Sequence, residues 1–195
     1  MNREKPDFYA LKAQKEGYPA RSVYKLEEIN QKFKILTPGQ NILDVGSSPG
    51  SWSLYALKIL GDSGSLVGID LTAPNLKKTW PNAHFFQGDI FDSSSQEILR
   101  QRGPYQVILS DAAPLTTGNR TVDTGRSWSL CDQVIRLAKE LLVPGGRLVI
   151  KVFQGGDEKS LMEDMKTFFK EVKILKPQSV RKDSFETYFI GRDKK

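Results

Sequence analysis

Lys151 stands inside an apolar stretch from Leu148 to Phe153, and Asp111 closes another, YQVILSD. Burying an unpaired ammonium costs free energy, so we expect Lys151 to be paired, and the Asp111 carboxylate is the candidate partner. A structural ion pair is one interpretation. The other is chemical, because a lysine that is held in a water-poor site and oriented by a carboxylate is suited to take a proton from a hydroxyl.

The elements that must position this pair alternate between strands and helices. Hydrophobic periodicity predicts strands at residues 41–46, 65–70, 84–89, 105–111, 147–153, 172–177 and 186–192, and helices at 20–33, 52–60, 95–102, 126–142 and 159–169. Such alternation is typical of an α/β fold, in which helices cover both faces of a parallel sheet. Asp111 then lies at the carboxyl end of its strand, where these sheets bind ligands.

The last strand is expected to run in the opposite direction. Only about eight residues connect it to the strand before it, whereas a parallel crossover needs a dozen or more. An antiparallel strand begins at the edge where parallel strands finish, so its first residue, Glu186, should lie beside Asp111 and Lys151. The sequence therefore predicts a seven-stranded, mostly parallel sheet with an antiparallel last strand.

A glycine-containing loop, DVGSSPGSW at residues 44–52, follows the first strand. Dinucleotide-binding loops need a second glycine where a pyrophosphate approaches the backbone, and Ser48 stands at that position. The pattern favours a ligand without phosphate, such as S-adenosylmethionine; a tight turn with no ligand is the alternative. The residues expected to contact the cofactor are Gly46, Ser47, Pro49, Gly50 and Trp52.

Carboxylates close four successive strands, at Asp44, Asp70, Asp89 and Asp111. Asp70 follows the glycine loop by about twenty residues, the spacing at which an acidic side chain accepts hydrogen bonds from ribose hydroxyls. Asp89 is placed to meet an adenine edge. A helix N-cap is the alternative for each residue alone. Four carboxylates at one edge favour a cofactor site to which Asp70, Asp89 and Asp111 contribute.

These motifs resemble the FtsJ-type ribosomal RNA ribose 2′-O-methyltransferases, a family of class I S-adenosylmethionine-dependent enzymes. The similarity runs from about Ala20 to Arg192 and rests on ARS and YKL (20–26), DVG and PGSW (44–52), QGD (87–89), SD and AP (110–114), PGG (144–146), VIKVFQG (149–155) and SFETY (184–188). The family's K-D-K-E tetrad is matched by Lys25, Asp111, Lys151 and Glu186.

The resemblance implies a Rossmann-like fold, S-adenosylmethionine as the cofactor and methyl transfer to a ribose 2′-hydroxyl, in a uridine of large-subunit (23S-type) rRNA. We expect Lys151 to take the hydroxyl proton and Asp111 to orient its ammonium. Lys25, which alone would be interpreted as a surface lysine, disfavours a second positive charge nearby. Glu186 positions Lys25 or the hydroxyl. No metal is needed.

Composition agrees with an RNA partner. The net charge is +6 and the pI about 9.3, which favour a polyanion. Basic residues cluster near both ends of the chain: Arg3, Lys5, Lys12, Lys15 and Arg21, then Arg181, Lys182, Arg192, Lys194 and Lys195. One cysteine and one histidine argue against disulfides, metal clusters and a Ser-His triad.

Residues 1–19 are expected to form a basic, flexible arm before a single domain at 20–195, and residues 116–125, with Arg120, a substrate lid. The N-terminus has no signal-peptide core and no stretch is apolar enough to span a membrane, which favours the cytoplasm. We expect the protein to be a monomer.

Three alternatives remain open at this point. One is a tRNA ribose 2′-O-methyltransferase. Another is a non-catalytic protein that binds S-adenosylmethionine and RNA, against which the complete tetrad argues. The third is a nicotinamide-dependent oxidoreductase, which Ser48 and the antiparallel last strand disfavour.

Overall fold

The structure is a computed structural model that describes residues 7–74, 76, 78–114, 117–181 and 184–195, without the side chain of Arg120. Its strands are β1 (Asn41–Val45), β2 (Ser65–Asp70), β3 (Ala83–Gln87), β4 (Tyr105–Ser110), β5 (Leu142–Phe153), β6 (Phe169–Leu175) and β7 (Glu186–Lys194). Its helices are α1 (Phe8–Lys15), α2 (Val23–Phe33), α3 (Ser51–Leu60), α4 (Ser93–Arg102), α5 (Arg120–Leu141) and α6 (Glu158–Phe168).

The described strands form one seven-stranded sheet in the order β3-β2-β1-β4-β5-β7-β6. Strands β1 to β5 pair in parallel, whereas β7 runs antiparallel to both β5 and β6. The predicted α/β architecture, with its antiparallel last strand, is confirmed. The insertion of β7 between β5 and β6 was not predicted, because the short connection specifies only that β7 pairs with the strand before it.

Two apolar clusters bury the two faces of the sheet. Helices α2 and α3 pack on one face, and α4, α5 and α6 contribute to the cluster on the other. Successive side chains of a strand point to opposite faces, so neighbours in β5 belong to different clusters. Val149 faces α2 and α3, whereas Ile150 faces the other layer. Lys151 therefore projects from the same face as Val149, toward α2.

Helix α5 begins six residues earlier than predicted, at Arg120 instead of Arg126. Its N-cap, Asn119, accepts hydrogen bonds from the backbone N–H groups of Thr121 and Val122. The expected lid at 116–125 is thus helical from residue 120; Thr116 and the Arg120 side chain lie outside the described residues. The buried residues of this first part of α5, Asp123 and Thr124, are polar, and Val122 is exposed, so the sequence shows no hydrophobic period there.

The segment expected to be a flexible arm contains α1, which the sequence analysis did not predict. Asp7 caps this helix by accepting from the N–H groups of Tyr9 and Ala10. Ala13 is the buried residue of α1 and packs beside Val23 and Tyr24. Weak amphipathicity explains the omission, because only one side chain of the helix enters a core. Across the described residues, no helix combines the length and apolarity needed to cross a membrane.

Candidate active site

Four charged side chains meet at the carboxyl edge of the sheet. Lys151 Nζ lies 3.2 Å from Asp111 Oδ1 and donates to the Asp111 carbonyl oxygen at 2.5 Å. Lys25 Nζ lies 2.6 Å from a Glu186 carboxylate oxygen and 3.9 Å from Asp111 Oδ1. Their side chains are only 8–14% exposed. The structure thus brings together all four residues that the sequence analysis grouped as catalytic.

Strand register explains why these side chains converge. In the antiparallel pair of β5 and β7, Lys151 stands opposite Tyr188, and Phe153 stands opposite Glu186. Directly opposed residues point to the same face, as do residues two apart in one strand. The side chains of these two pairs, Lys151 with Tyr188 and Phe153 with Glu186, therefore all project toward α2. Helix α2 crosses that face and contributes Lys25 to the cluster, and Asp111 enters from the residue after β4.

Asp111 is held as an anion at the centre of the cluster. Burial opposes its ionisation, but the charges of Lys151 and Lys25, with hydrogen bonds from Tyr188 and Lys151, hold its carboxyl pKa below the usual range. The Tyr188 hydroxyl donates to Asp111 Oδ1 at 2.7 Å. Burial, together with the nearby Asp111 and Glu186 charges, raises the pKa of Tyr188, so this hydroxyl stays a donor.

Tyr188 was missed as a site residue by the sequence analysis. Its signal was present, because it lies two residues after Glu186 in a strand and therefore shares its face. The ring is fully buried and lies 5.8 Å from the Trp52 ring, between centroids. A buried tyrosine needs a partner for its hydroxyl, and the carboxylate at the same edge is that partner.

An open cleft of about 490 Å³ extends from Asp111 along the ends of β1 and β2. This volume is typical of small-molecule sites. Of the predicted cofactor-binding residues, those that line it are Gly46, Asp70, Asp89 and Asp111. Asp70 accepts from the N–H groups of Thr72 at 2.8 Å and Ser48 at 3.0 Å. Each carboxylate oxygen has a second lone pair, so Asp70 can also accept from ligand hydroxyls.

Apolar side chains form much of the remaining wall of this cleft. Ile69, Leu71 and Ile90 lie beside the carboxylates of Asp70 and Asp89. An apolar wall with a few polar groups at one end suits a flat heterocycle attached to a hydroxylated sugar. The cleft therefore has the chemistry of a nucleoside site.

The other predicted cofactor residues, Ser47, Pro49, Gly50 and Trp52, do not line the cleft. Ser47 is buried and Pro49 is exposed. Gly50 caps α3 with φ +111°, a conformation that favours glycine, and a Cβ there would lie 2.3 Å from Leu76. Trp52 is buried and donates from Nε1 to the Ser22 carbonyl at 2.9 Å. These residues shape the loop and fasten it to α2.

Ser48, which the sequence analysis used only to exclude a dinucleotide, does line the cleft. Gly46 has φ +79°, and a Cβ there would lie 2.6 Å from the Ala112 Cα. The loop therefore packs directly on the segment that follows β4. This close approach brings the glycine loop and Asp111 to the same cavity.

A second open cleft, of about 670 Å³, lies on the other side of the charged cluster. Lys25 and Glu186 line it, together with Arg21, Phe153 and Arg181 among others. Asp111 lines the first cleft and is 3.9 Å from Lys25, so the charged cluster separates the two cavities. A group bound in one cleft can therefore meet a group bound in the other at this cluster.

The basic residues near the chain ends have different environments. Arg21 and Arg181 line the second cleft, whereas Arg192 pairs with Glu171 at 2.7 Å. Lys194 donates to the carbonyls of Lys139 and Leu142, and Lys195 donates to those of Lys166 and Thr167. These three C-terminal residues contact the protein itself. Arg3, Lys5 and Lys182 lie outside the described residues.

No group of three or more metal-ligating side chains is found among the described residues. The independence from metal stays a prediction, because it concerns the reaction and not the site alone.

Comparison with known proteins assigns this arrangement to a family. The family model described as FtsJ-like methyltransferase matches residues 18–194. The ribosomal RNA large subunit methyltransferase E of Treponema denticola is 44% identical over 188 residues, which cover 96% of this chain and 94% of the relative. The protein of the same name from Borrelia duttonii is 49% identical over 187 residues, covering 96% and 95%.

A solved structure agrees with the sequence relatives. The crystal structure of a ribosomal RNA methyltransferase from Plasmodium falciparum superposes with a TM-score of 0.77 at 29% identity, covering 91% of this chain and 98% of that one. The family match spans the charged cluster and both clefts. The chain belongs to the FtsJ-like methyltransferase family.

Proposed function

We propose that the protein transfers a methyl group from S-adenosylmethionine to a ribose 2′-hydroxyl of RNA, in a uridine of large-subunit rRNA. One observation carries this proposal: the buried cluster of Lys25, Asp111, Lys151 and Glu186 separates a nucleoside-like cleft from a second cleft with arginines at its mouth. Cofactor and substrate can thus occupy separate cavities and meet at one proton acceptor.

The first cleft fits the cofactor. Asp70 offers lone pairs to ribose hydroxyls, Asp89 stands where an adenine edge would be read, and Ile69, Leu71 and Ile90 provide apolar walls. The loop from Gly46 to Ser48 would hold the amino-acid part, near Asp111. When bound, S-adenosylmethionine supplies an electrophilic methyl group on its sulfonium.

Lys151 is the proposed proton acceptor. The Lys151 ammonium that pairs with Asp111 must release a proton to solvent before it can accept another. The neutral amine then has two N–H donors and one lone pair, and Asp111 provides two acceptors for it, a carbonyl oxygen at 2.5 Å and Oδ1 at 3.2 Å. The lone pair is then left for the substrate hydroxyl. When the 2′-hydroxyl loses its proton to Lys151 Nζ, the resulting ammonium faces an ionised Asp111, which stabilises it.

Lys25 and Glu186 position the substrate from the second cleft. Their side chains pair at 2.6 Å, and both line that cleft. The Lys25 ammonium also faces Asp111 at 3.9 Å, so Lys25 and Lys151 share one carboxylate between the two clefts. Glu186 fixes the Lys25 ammonium at the boundary between the clefts, where the ribose must sit for in-line transfer.

The family match and relatives named for large-subunit rRNA support the substrate assignment. The test is methyl transfer from radiolabelled S-adenosylmethionine to purified large ribosomal subunits, naked large-subunit rRNA and tRNA transcripts, each prepared without modification. We expect labelling of a subunit or its rRNA at one uridine 2′-oxygen, mapped by resistance of the adjacent bond to alkali. Labelling of tRNA alone would show that tRNA, and not large-subunit rRNA, is the substrate. Absence of labelling in every RNA would overturn the proposal.

We also propose that residues 20–195 act as one methyltransferase domain and that a single cytoplasmic protomer is the active unit. The family match from residue 18 to 194 supports the domain limits. The described residues of one chain line both clefts and form the charged cluster between them, which supports a single protomer as the active unit. Sedimentation of the active enzyme at assay concentration tests the monomer.

A further inference from the structure

Two arginines share one carboxylate at the mouth of the second cleft. The Arg21 guanidinium forms an ion pair with the Asp7 carboxylate, and Arg181 Nε lies 3.7 Å from the same Asp7 oxygen. Both arginines line the cleft that also contains Lys25 and Glu186. Two cationic side chains therefore converge on one anion beside the catalytic cluster.

The Arg21 side chain and the backbone that carries Arg181 are held in place independently of that anion. Arg21 also donates to the carbonyl of Ser179, in the loop between β6 and β7 that carries Arg181. Glu28 on α2 fixes this loop by accepting from the N–H groups of Gln178 at 2.7 Å and Ser179 at 2.9 Å. The pair is therefore attached to the body of the domain through α2 and an anchored loop.

Asp7, by contrast, lies at the exposed N-terminal end of α1, where Phe8 is 71% exposed. Ala13 and Tyr9 attach α1 to the domain, with 5.4 Å between the ring centroids of Tyr9 and Tyr24. The helix can therefore stay in place while the Asp7 side chain, which is 27% exposed, turns away from the arginines. The anion can leave while the two arginines stay.

We propose that Arg21 and Arg181 form a binding site for a backbone phosphate of the substrate RNA, and that the Asp7 carboxylate occupies this site until RNA displaces it. This inference rests on the proposed function for the identity of the anion. An RNA phosphate and a carboxylate offer similar paired oxygens to a guanidinium. Bound here, a phosphate lies next to Lys25 and Glu186, so it sets the position of the adjoining ribose at the cluster.

Electrostatics agree with a site built for an anion. Burial and then the nearby charge of Arg181 lower the pKa of Arg21, with Glu186 acting in the opposite sense. A shared anion offsets the repulsion between two like charges. Asp7 provides it in the free protein, and a phosphate provides it in the complex. The carboxylate thus competes with RNA for the two arginines.

Asp7→Asn tests the competition, because asparagine is as good an N-cap as aspartate and keeps α1 folded. The probe is a transcript of large-subunit rRNA, with binding measured over a range of salt concentrations. We expect Asp7→Asn to bind roughly two- to fivefold more tightly, the size of a partly exposed ion-pair competition. Arg181→Gln should bind more weakly and flatten the salt dependence by about 0.7, the slope of one phosphate contact.

Arg102→Gln is the matched control for loss of one positive charge. Arg102 is exposed at the end of α4, at the opposite edge of the sheet from the clefts. In the Arg21→Gln/Arg181→Gln background, Asp7→Asn should give no gain, since the anion then has no site to vacate. Circular dichroism and thermal melting confirm that each variant is folded.

Unchanged or weaker RNA binding by folded Asp7→Asn would overturn the competition, leaving Asp7 as an anchor for α1. If Arg181→Gln loses no more affinity than Arg102→Gln, the phosphate site is wrong. Failure of the proposed function gives a different result. The wild type would then bind the transcript without methylating it. If Asp7→Asn still increased affinity, and only when both arginines were present, the results would support this inference alone.

Discussion

Lys151 and Tyr188 stand directly opposite each other across β5 and β7, and both contact the Asp111 carboxylate. The β5–β7 pair thus supplies Lys151, the proposed base, and Tyr188, whose hydroxyl holds the Asp111 carboxylate that pairs with Lys151. Because the two side chains share one carboxylate oxygen, removal of either alters the orientation and charge environment of the other. The first two predictions separate their roles.

Lys151→Met keeps most of the side-chain volume and removes the proton acceptor. We expect methyl transfer to fall by about 10²–10⁴-fold, the usual contribution of positioned proton transfer, with cofactor and RNA binding largely intact. The measurement is single-turnover transfer at saturating RNA and cofactor. Raising the pH should restore part of the rate, because hydroxide can replace a lost base. A folded variant that keeps more than about a tenth of the wild-type rate would contradict the assignment.

Tyr188→Phe keeps the buried ring and removes the hydrogen bond to Asp111 Oδ1. A hydrogen bond to a charged group contributes about 1.5–3 kcal/mol, so we expect a loss of stability of that order and a roughly tenfold slower transfer step. Affinity for the cofactor should change little, since Tyr188 does not line the first cleft. Thermal melting and single-turnover rates together test this. Unchanged rates with reduced stability would make Tyr188 a purely structural residue.

Asp89→Ala removes a carboxylate from the wall of the first cleft. We expect binding of S-adenosylmethionine to weaken by at least tenfold, about 1.4 kcal/mol, as measured by calorimetry on the folded protein. Asp92→Ala is the comparison, because this carboxylate is exposed, makes no side-chain cap hydrogen bond and does not line the cleft. Equal losses for the two variants would mean that loss of a negative charge, and not of the Asp89 contact, weakens binding. Binding of NAD in place of S-adenosylmethionine would reject the cofactor assignment.

Strong local patterns made most of the fold predictable from the sequence. The central parallel strands β1, β2, β4 and β5 are largely apolar, and a connection too short for a parallel crossover required β7 to be antiparallel. Helix α1 was missed because it exposes most of its side chains, and the start of α5 because the residues it buries, Asp123 and Thr124, are polar. Packing of Tyr9 and Ala13 beside Tyr24 holds α1 in place, and sequence periodicity does not report such contacts.

The candidate site was predictable wherever strand ends defined it. Asp70, Asp89 and Asp111 follow strands and line one cleft, as expected. The loop residues were harder, because sequence spacing does not show which way each side chain of a turn points. Trp52 therefore turned out to anchor α2, while Ser48 lines the cleft.

Asp44 is a buried carboxyl beneath the glycine loop that serves neither cleft directly. It is fully buried, and the Ser53 hydroxyl donates to its Oδ2 at 2.5 Å. Its other oxygen has no hydrogen-bond partner among the described residues. Burial first, and then the Asp111 and Asp70 charges, raise its pKa from 3.8 to about 7, although the Ser53 hydrogen bond opposes this.

Asp44→Asn should therefore change how stability depends on pH. Because the folded pKa lies above the unfolded value, the contribution of Asp44 to stability is fully present below about pH 3.8, is lost as the pH rises to about 7 and then levels off. The neutral amide does not titrate, so the variant's melting temperature should gain on the wild type between pH 4 and 7, by about 2–4 °C for each kcal/mol. Melting both proteins without cofactor across this range tests it. A difference that stays constant with pH would show that Asp44 does not titrate there.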